Sequence, residues 1–182
     1  MNKLPLIKKV LLLAIPGLLM ANFAFAQTVS LTPATSNVSA GANFSLAVNI
    51  ASVTNLFGVA FDLGFSPSLL NYVSATEGNF MNQGCSTSMM ATQNPAGKLI
   101  FGITRLGQGC GGVSGSGTLA TLNFQAQGTA GTSALTFSNS QFCLLSGSAC
   151  NYINGTWNGA SVTVQGTGDT MPPAAPIGLT VR

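Results

Sequence analysis

The chain has 182 residues, a formal net charge of +3, no histidine, and only 5% charged residues against 46% hydrophobic ones. Lys3, Lys8 and Lys9 account for the excess charge; beyond residue 26, Lys98, Arg105 and Arg182 are balanced by Asp62, Glu77 and Asp169. The balance leaves no basic footprint for nucleic acid or an anionic membrane, and so few titratable groups exclude most acid–base and nucleophilic catalysis.

The N-terminus is basic, and Val10–Met20 is an apolar run broken only by Pro16-Gly17. Ala24-Phe25-Ala26 then puts small residues before Gln27. A basic start, a short apolar stretch and an A-x-A site predict a secretory signal over residues 1–26, cleaved between Ala26 and Gln27. The run is shorter than the roughly 20 apolar residues that span a bilayer, and no membrane span is expected in the mature chain.

Period-two alternation dominates the chain beyond residue 27. Val29 and Leu31 alternate with Ser30 and Thr32 until Pro33 ends the strand. Phe44, Leu46, Val48 and Ile50 form a second strand; Phe57, Val59, Phe61, Leu63 and Phe65 form the clearest core strand. Leu69–Thr76 is the next, entered through Ser66-Pro67-Ser68. Residues 78–97 read mostly as loop, with a short strand near Thr87–Thr92. Lys98–Thr104 is a strand, Gly107–Gly117 a glycine-rich loop, and Thr118–Ala126, Ser133–Phe142 and Ala160–Gln165 complete the set. About eight or nine short strands without helical patterning predict an all-β sandwich over residues 27–166. Residues 167–176 read as a Gly- and Pro-rich linker. Residues 177–182 read as the first strand of a further module, so the sequence looks cut from a longer protein.

Cys85, Cys110, Cys143 and Cys150 are an even set in an exported chain, which favours disulfides. Of the three connectivities, Cys85–Cys110 with Cys143–Cys150 is preferred, each cysteine lying in a Gly/Ser-rich stretch. With no histidine and no C-x-x-C pair, neither a metal site nor any cofactor is expected.

A glycosidase pair would have to be Asp62 and Glu77, and the absence of any base or orienting partner makes both read as solvated carboxylates. Direct glycan binding is an alternative: Tyr152, Asn154, Trp157 and Asn158 cluster an aromatic pair with amides. Packing of Trp157 over the sandwich edge explains that residue equally well.

Three segments together resemble a cohesin domain. They are Val29–Pro33 with Val38–Gly41 and Phe44–Ile50; Val53–Gly58 running through Phe61 to Ser66-Pro67-Ser68-Leu69-Leu70; and Phe101–Gly107 followed by Gly115–Phe124. The resemblance implies a nine-stranded jelly-roll sandwich related to bacterial carbohydrate-binding modules. It also implies a non-catalytic module on a secreted or surface-borne bacterial protein, the periplasm included, binding a dockerin-like or other extracellular protein in a polysaccharide-handling or cell-surface assembly. It places strands 57–65 and 98–104 on one sheet. With the large residues inward, that sheet presents Gly58, Ala60, Asp62, Ile100, Gly102 and Thr104 as a partner-binding face. The dockerin-contacting Asn and Asp positions of cellulosomal cohesins fall approximately on Gly58 and Ala60, where neither polar side chain is retained. The tail from Asp169 to Val181 is similar to the lead-in of a fibronectin type III module. A passive spacer in an adhesin is the remaining alternative.

Overall fold

A computed structural model describes residues 27–166. The export segment expected over residues 1–26, the linker over 167–176 and the fibronectin-like strand over 177–182 lie outside the described residues. Eleven strands occupy the described chain: β1 (Thr28–Thr32), β2 (Thr35–Ser39), β3 (Asn43–Gly64), β4 (Leu70–Glu77), β5 (Ser86–Gln93), β6 (Lys98–Leu106), β7 (Val113–Ala126), β8 (Gly131–Ser146), β9 (Ala149–Ile153), β10 (Thr156–Asn158) and β11 (Ala160–Gln165).

The long strand β3 organises them. Its first half pairs antiparallel with β1 and β7, and β7 carries β4 on its far side. Its second half pairs with β6 and β8, and β6 carries β5. Between the halves, Ser52 and Asn55 take positive φ (59° and 55°) and the register against β7 slips on either side of Val53. Left-handed residues and bulges bend a strand, and here they carry β3 around a corner from one layer of the sandwich to the other. The two strands expected at 44–50 and 57–65 are therefore one bent element.

The chain ends of the sandwich are zipped in parallel. β1 runs parallel to β10, with Val29 opposite Trp157, and β2 runs parallel to β11, with Val162 opposite Ser36. β11 also pairs antiparallel with β8. Pro33 separates β1 from β2 because it has no N–H to give a ladder. That break and the short β9 and β10 add three strands, and the fusion within β3 removes one, so the count is eleven against the expected nine.

Alternation fills the interior as the pattern requires. Leu46, Val48 and Ile50 from one half of β3 and Val59, Phe61 and Leu63 from the other are all buried. Two aromatic nodes hold the layers together. Phe61 stacks on Phe101 (centroids 4.6 Å) and meets Phe137 edge-on at 5.0 Å. Phe124 is surrounded by Phe44, Phe65 and Tyr72 at 5.3–5.9 Å; burial there pushes the Tyr72 phenol pKa up. Burial of each such ring stabilises the fold by roughly 1.5–3 kcal/mol.

Two regions differ from expectation. β5 is a full eight-residue strand, not a short one, and Phe80 and Met81, in the stretch read as loop, are buried core residues. β7 begins at Val113, inside the glycine-rich stretch. Its glycines make room: a Cβ on Gly117 would stand 2.7 Å from Phe80 Cδ2. Gly117 thus serves close packing in a strand, where composition alone reads as a turn.

Candidate functional site

The outer face of β5-β6-β3-β8 is read directly from the ladder register. One row runs Ser88, Thr104, Gly58, Cys143 and, on β9, Tyr152. The next runs Met90, Gly102, Ala60, Gln141, and a third Thr92, Ile100, Asp62, Ser138. The six residues expected on a partner face are thus directly opposed in pairs: Gly58 with Thr104, Ala60 with Gly102, Asp62 with Ile100.

Four of the six line a shallow groove of about 940 Å³. Gly58, Ala60 and Gly102 form its floor, which is low because no side chain there exceeds a methyl group. Met90 and Tyr152 stand on opposite sides, 55% and 65% exposed.

Both disulfides border the groove. Cys85 pairs with Cys110 and Cys143 with Cys150, at Cα separations of 6.0 and 5.3 Å, in the ordinary range for a bridge. Cys110, Cys143 and Cys150 are themselves lining residues. Cys143 and Cys150 lie in strands, not in the loops expected, and staple a β8–β9 hairpin whose turn is Gly147-Ser148, with Gly147 at φ 65°. The Cys85–Cys110 bridge joins the segment before β5 to the loop between β6 and β7.

That loop has a second anchor which the sequence did not reveal. Arg105 is buried, and its guanidinium donates from Nε to the Gly111 carbonyl (2.8 Å), from Nη2 to the Gln83 carbonyl (2.8 Å) and from Nη1 to the Met81 carbonyl. One planar fork thus closes the two segments that the Cys85–Cys110 bridge also joins, so covalent and charge-assisted links fix the same groove wall.

Asp62 corrects another expectation. It faces outward but is only 7% exposed, because Oδ2 accepts from Lys98 Nζ and Asn139 Nδ2, each at 2.7 Å. Asn139 gets there through a bulge. β8 advances from Gln141 to Ser138 while β3 advances from Ala60 to Asp62, and Asn139 sits at φ 47° in the extra step. A bulge re-aims a side chain, and asparagine tolerates the left-handed conformation. The Lys98 and Asn139 hydrogen bonds hold the Asp62 carboxyl pKa below its usual value against an opposing effect of burial. Glu77 belongs to the β4–β7 side of the sandwich, where its Oε1 accepts from Thr87 Oγ1 at 2.6 Å. The two carboxylates are each engaged in structure and do not form a pair across one cleft.

The four glycan candidates are dispersed. Tyr152 lines the groove, and Asn154 and Asn158 are exposed. Trp157 is half-buried, stacked on Phe142 at 4.8 Å and tilted against Phe137 (5.3 Å) and Phe61 (5.9 Å). Its ring is part of the core packing and is not offered outward as a platform. Among the described residues, no group of three His, Cys, Asp or Glu is placed to hold a metal ion, and no helix is long and apolar enough to cross a membrane.

The cohesin domain family model matches residues 28–164. No curated protein sequence matches the chain. Among solved structures, the seventh ScaB type I cohesin from Pseudobacteroides cellulosolvens is similar at 16% identity and a TM-score of 0.66, covering 86% of this chain and 99% of its own. A non-cellulosomal cohesin from the hyperthermophilic archaeon Archaeoglobus fulgidus is 15% identical with a TM-score of 0.61, over 78% and 92% of the two chains. The third cohesin of ScaC from Acetivibrio cellulolyticus, solved in complex with the ScaB dockerin, is 17% identical with a TM-score of 0.61, over 76% and 98%. The structural likenesses establish the jelly-roll fold, and with the family match across nearly all the described residues the chain belongs to the cohesin domain family, whose members are non-catalytic interaction modules.

Proposed function

We propose that this module captures a protein partner, a dockerin or another extracellular surface protein, on the outer face of β5-β6-β3-β8, within a polysaccharide-handling or cell-surface assembly outside the cytoplasm. The observation that carries the reading is the groove: a floor of Gly58, Ala60 and Gly102 between exposed Met90 and Tyr152, on a face stiffened by two disulfides. Solved cohesins of similar fold include several in complex with dockerins, which supports the choice of partner class. A rigid, low-charge face suits tight protein packing, since little desolvation of charge opposes it.

The test is binding of the full chain to a panel of purified dockerin modules by calorimetry. Ala60→Arg, which fills the floor, is expected to weaken binding at least about tenfold. Asn71→Arg, exposed on β4, is expected to leave it unchanged. Equal effects of the two variants would overturn the assignment of the face. One observation favours a second reading, direct glycan binding: among the described residues, Tyr152 is the most exposed of the large hydrophobic side chains. Retention on an insoluble neutral polysaccharide that is lost in Tyr152→Ala, with no dockerin bound, would favour it.

A further inference from the structure

We infer that β5 is the edge through which two copies of this chain pair, strand against strand, into a dimer. β5 is laddered to β6 alone, over consecutive rungs from Ser86–Leu106 to Gln93–Leu99. Among the described residues, no backbone hydrogen bond reaches its other side. The N–H and C=O groups on that side need water or another strand. β2, β4, β9 and β10 are also laddered on one side only. Of these, β2, β9 and β10 are short, at five residues or fewer. β4 is interrupted by a bulge between Tyr72 and Ser74 and ends on Glu77. Shortness, bulges and charge are the ordinary protections of an edge. β5 has none of them: it runs for eight residues with no charge, no proline and no register shift.

The order of its side chains selects a second copy over a foreign strand. A two-fold interface sets each residue against its symmetry equivalent, so the strand must present the same chemistry from either end. Thr87-Ser88-Met89-Met90-Ala91-Thr92-Gln93 is palindromic in polarity about Met90. An antiparallel pair with its dyad at Met90 sets Ser88 against Thr92 on the outer face, Met89 against Ala91 on the inner face, and Thr87 against Gln93 at the ends. At the centre Met90, 55% exposed in the single copy, is covered by its own equivalent, a contact to which a flexible thioether adapts. A dyad at Met89 would set Met90 against Ser88 instead and leave the apolar side chains unmatched. No like charges meet in either copy's strand. Such a dyad stands normal to the sheet, so both outer faces point the same way. The two grooves then open in one direction, and a surface carrying two ligands engages both at once. The pairing itself does not depend on what the grooves bind.

The experiment is sedimentation velocity of the full chain, disulfides intact, from about 1 to 500 µM, with hydrogen exchange read by mass spectrometry at both ends of that range. Seven paired residues with one central apolar contact make a small interface, so dimer is expected to reach half of the protein at roughly 100 µM. Amides of Ser86–Gln93 should exchange at least about fivefold more slowly at the high concentration. Met90→Lys, which sets two ammonium groups on the dyad, should be monomeric throughout. Met90→Leu should keep the dimer, and so should Asn71→Lys, which adds the same charge at an exposed position on β4. Thermal melts establish that each variant is folded. A parent that stays monomeric across the range, a dimer that survives in Met90→Lys, or a dimer without added protection in β5 would overturn the inference, and none of these results bears on the docking face.

Discussion

Lys98 Nζ reaches 2.7 Å from Asp62 Oδ2 across a diagonal of the β3–β6 ladder, since Lys98 is itself opposite Gly64. The pair has a pH signature. The Asp62 carboxyl has a lowered folded pKa, so its stabilisation is present above the unfolded value near 3.8 and is lost as pH falls through the folded value. Lys98 is 38% exposed, which screens the pair. Asp62→Asn is therefore expected to cost only about 1 kcal/mol at neutral pH, and the difference from the parent should shrink as pH falls through the lowered folded pKa, below which the carboxyl is neutral like the amide. Urea titrations across this range check it.

Arg105 carries more. Arg105→Met leaves the carbonyls of Met81, Gln83 and Gly111 without their donor and should cost about 3 kcal/mol by urea denaturation. Arg105→Lys should recover less than half, because an ammonium cannot reproduce the planar fork. Limited proteolysis should open the segment between β6 and β7 first in both variants.

The disulfides close stretches of 25 and 7 residues. On the loop-entropy model, removing Cys85–Cys110 by a double serine variant should cost about 3.5 kcal/mol and removing Cys143–Cys150 about 2.5 kcal/mol. Both bridges border the groove, so each variant should also lose partner affinity under conditions where it remains fully folded. Calorimetric melting paired with binding at low temperature separates the two effects.

Trp157 separates packing from glycan recognition. Trp157→Ala removes the ring stacked on Phe142 and should cost about 3 kcal/mol. Trp157→Phe should be close to neutral, because Nε1 is buried without a hydrogen-bond partner, and losing an unpaired donor offsets lost contact area. Thermal melts of the two variants check this, and neither should change retention on neutral polysaccharide beyond what the loss of folded protein explains.

The features legible in the sequence are those where the physics is local. The alternation of Val29 with Leu31 and of Val59 through Phe65 is a period-two signal, and it marked strands whose inner residues are indeed buried; Phe57, expected inward with them, instead lines the groove, and Leu56 fills the core across an irregularity in the β3–β8 register. That strands 57–65 and 98–104 share a sheet followed from the family resemblance, and the ladder supplies the pairing of Gly58 with Thr104, Ala60 with Gly102 and Asp62 with Ile100. The features that could not be read depend on contacts distant in sequence. Asp62 becomes buried through Lys98 and Asn139, the latter 77 residues away. Arg105 looks like any surface cation until the carbonyls of Met81 and Gln83 come round to meet it. The glycines from 111 to 117 resemble a loop because nothing nearby announces that the Phe80 ring must lie against Gly117.

The parallel pairing at the two ends of the sandwich also sets how the module answers a pull. β1 against β10, and β2 against β11, run in the same direction. A tug that draws residue 27 one way and residue 166 the other slides each strand lengthwise along its neighbour. Every rung of the zipper is then loaded at once, and none can open before the others. A module tethered through its ends in flowing fluid would on this geometry yield abruptly at high load, with the outer face of the β5-β6-β3-β8 layer keeping its shape until that moment.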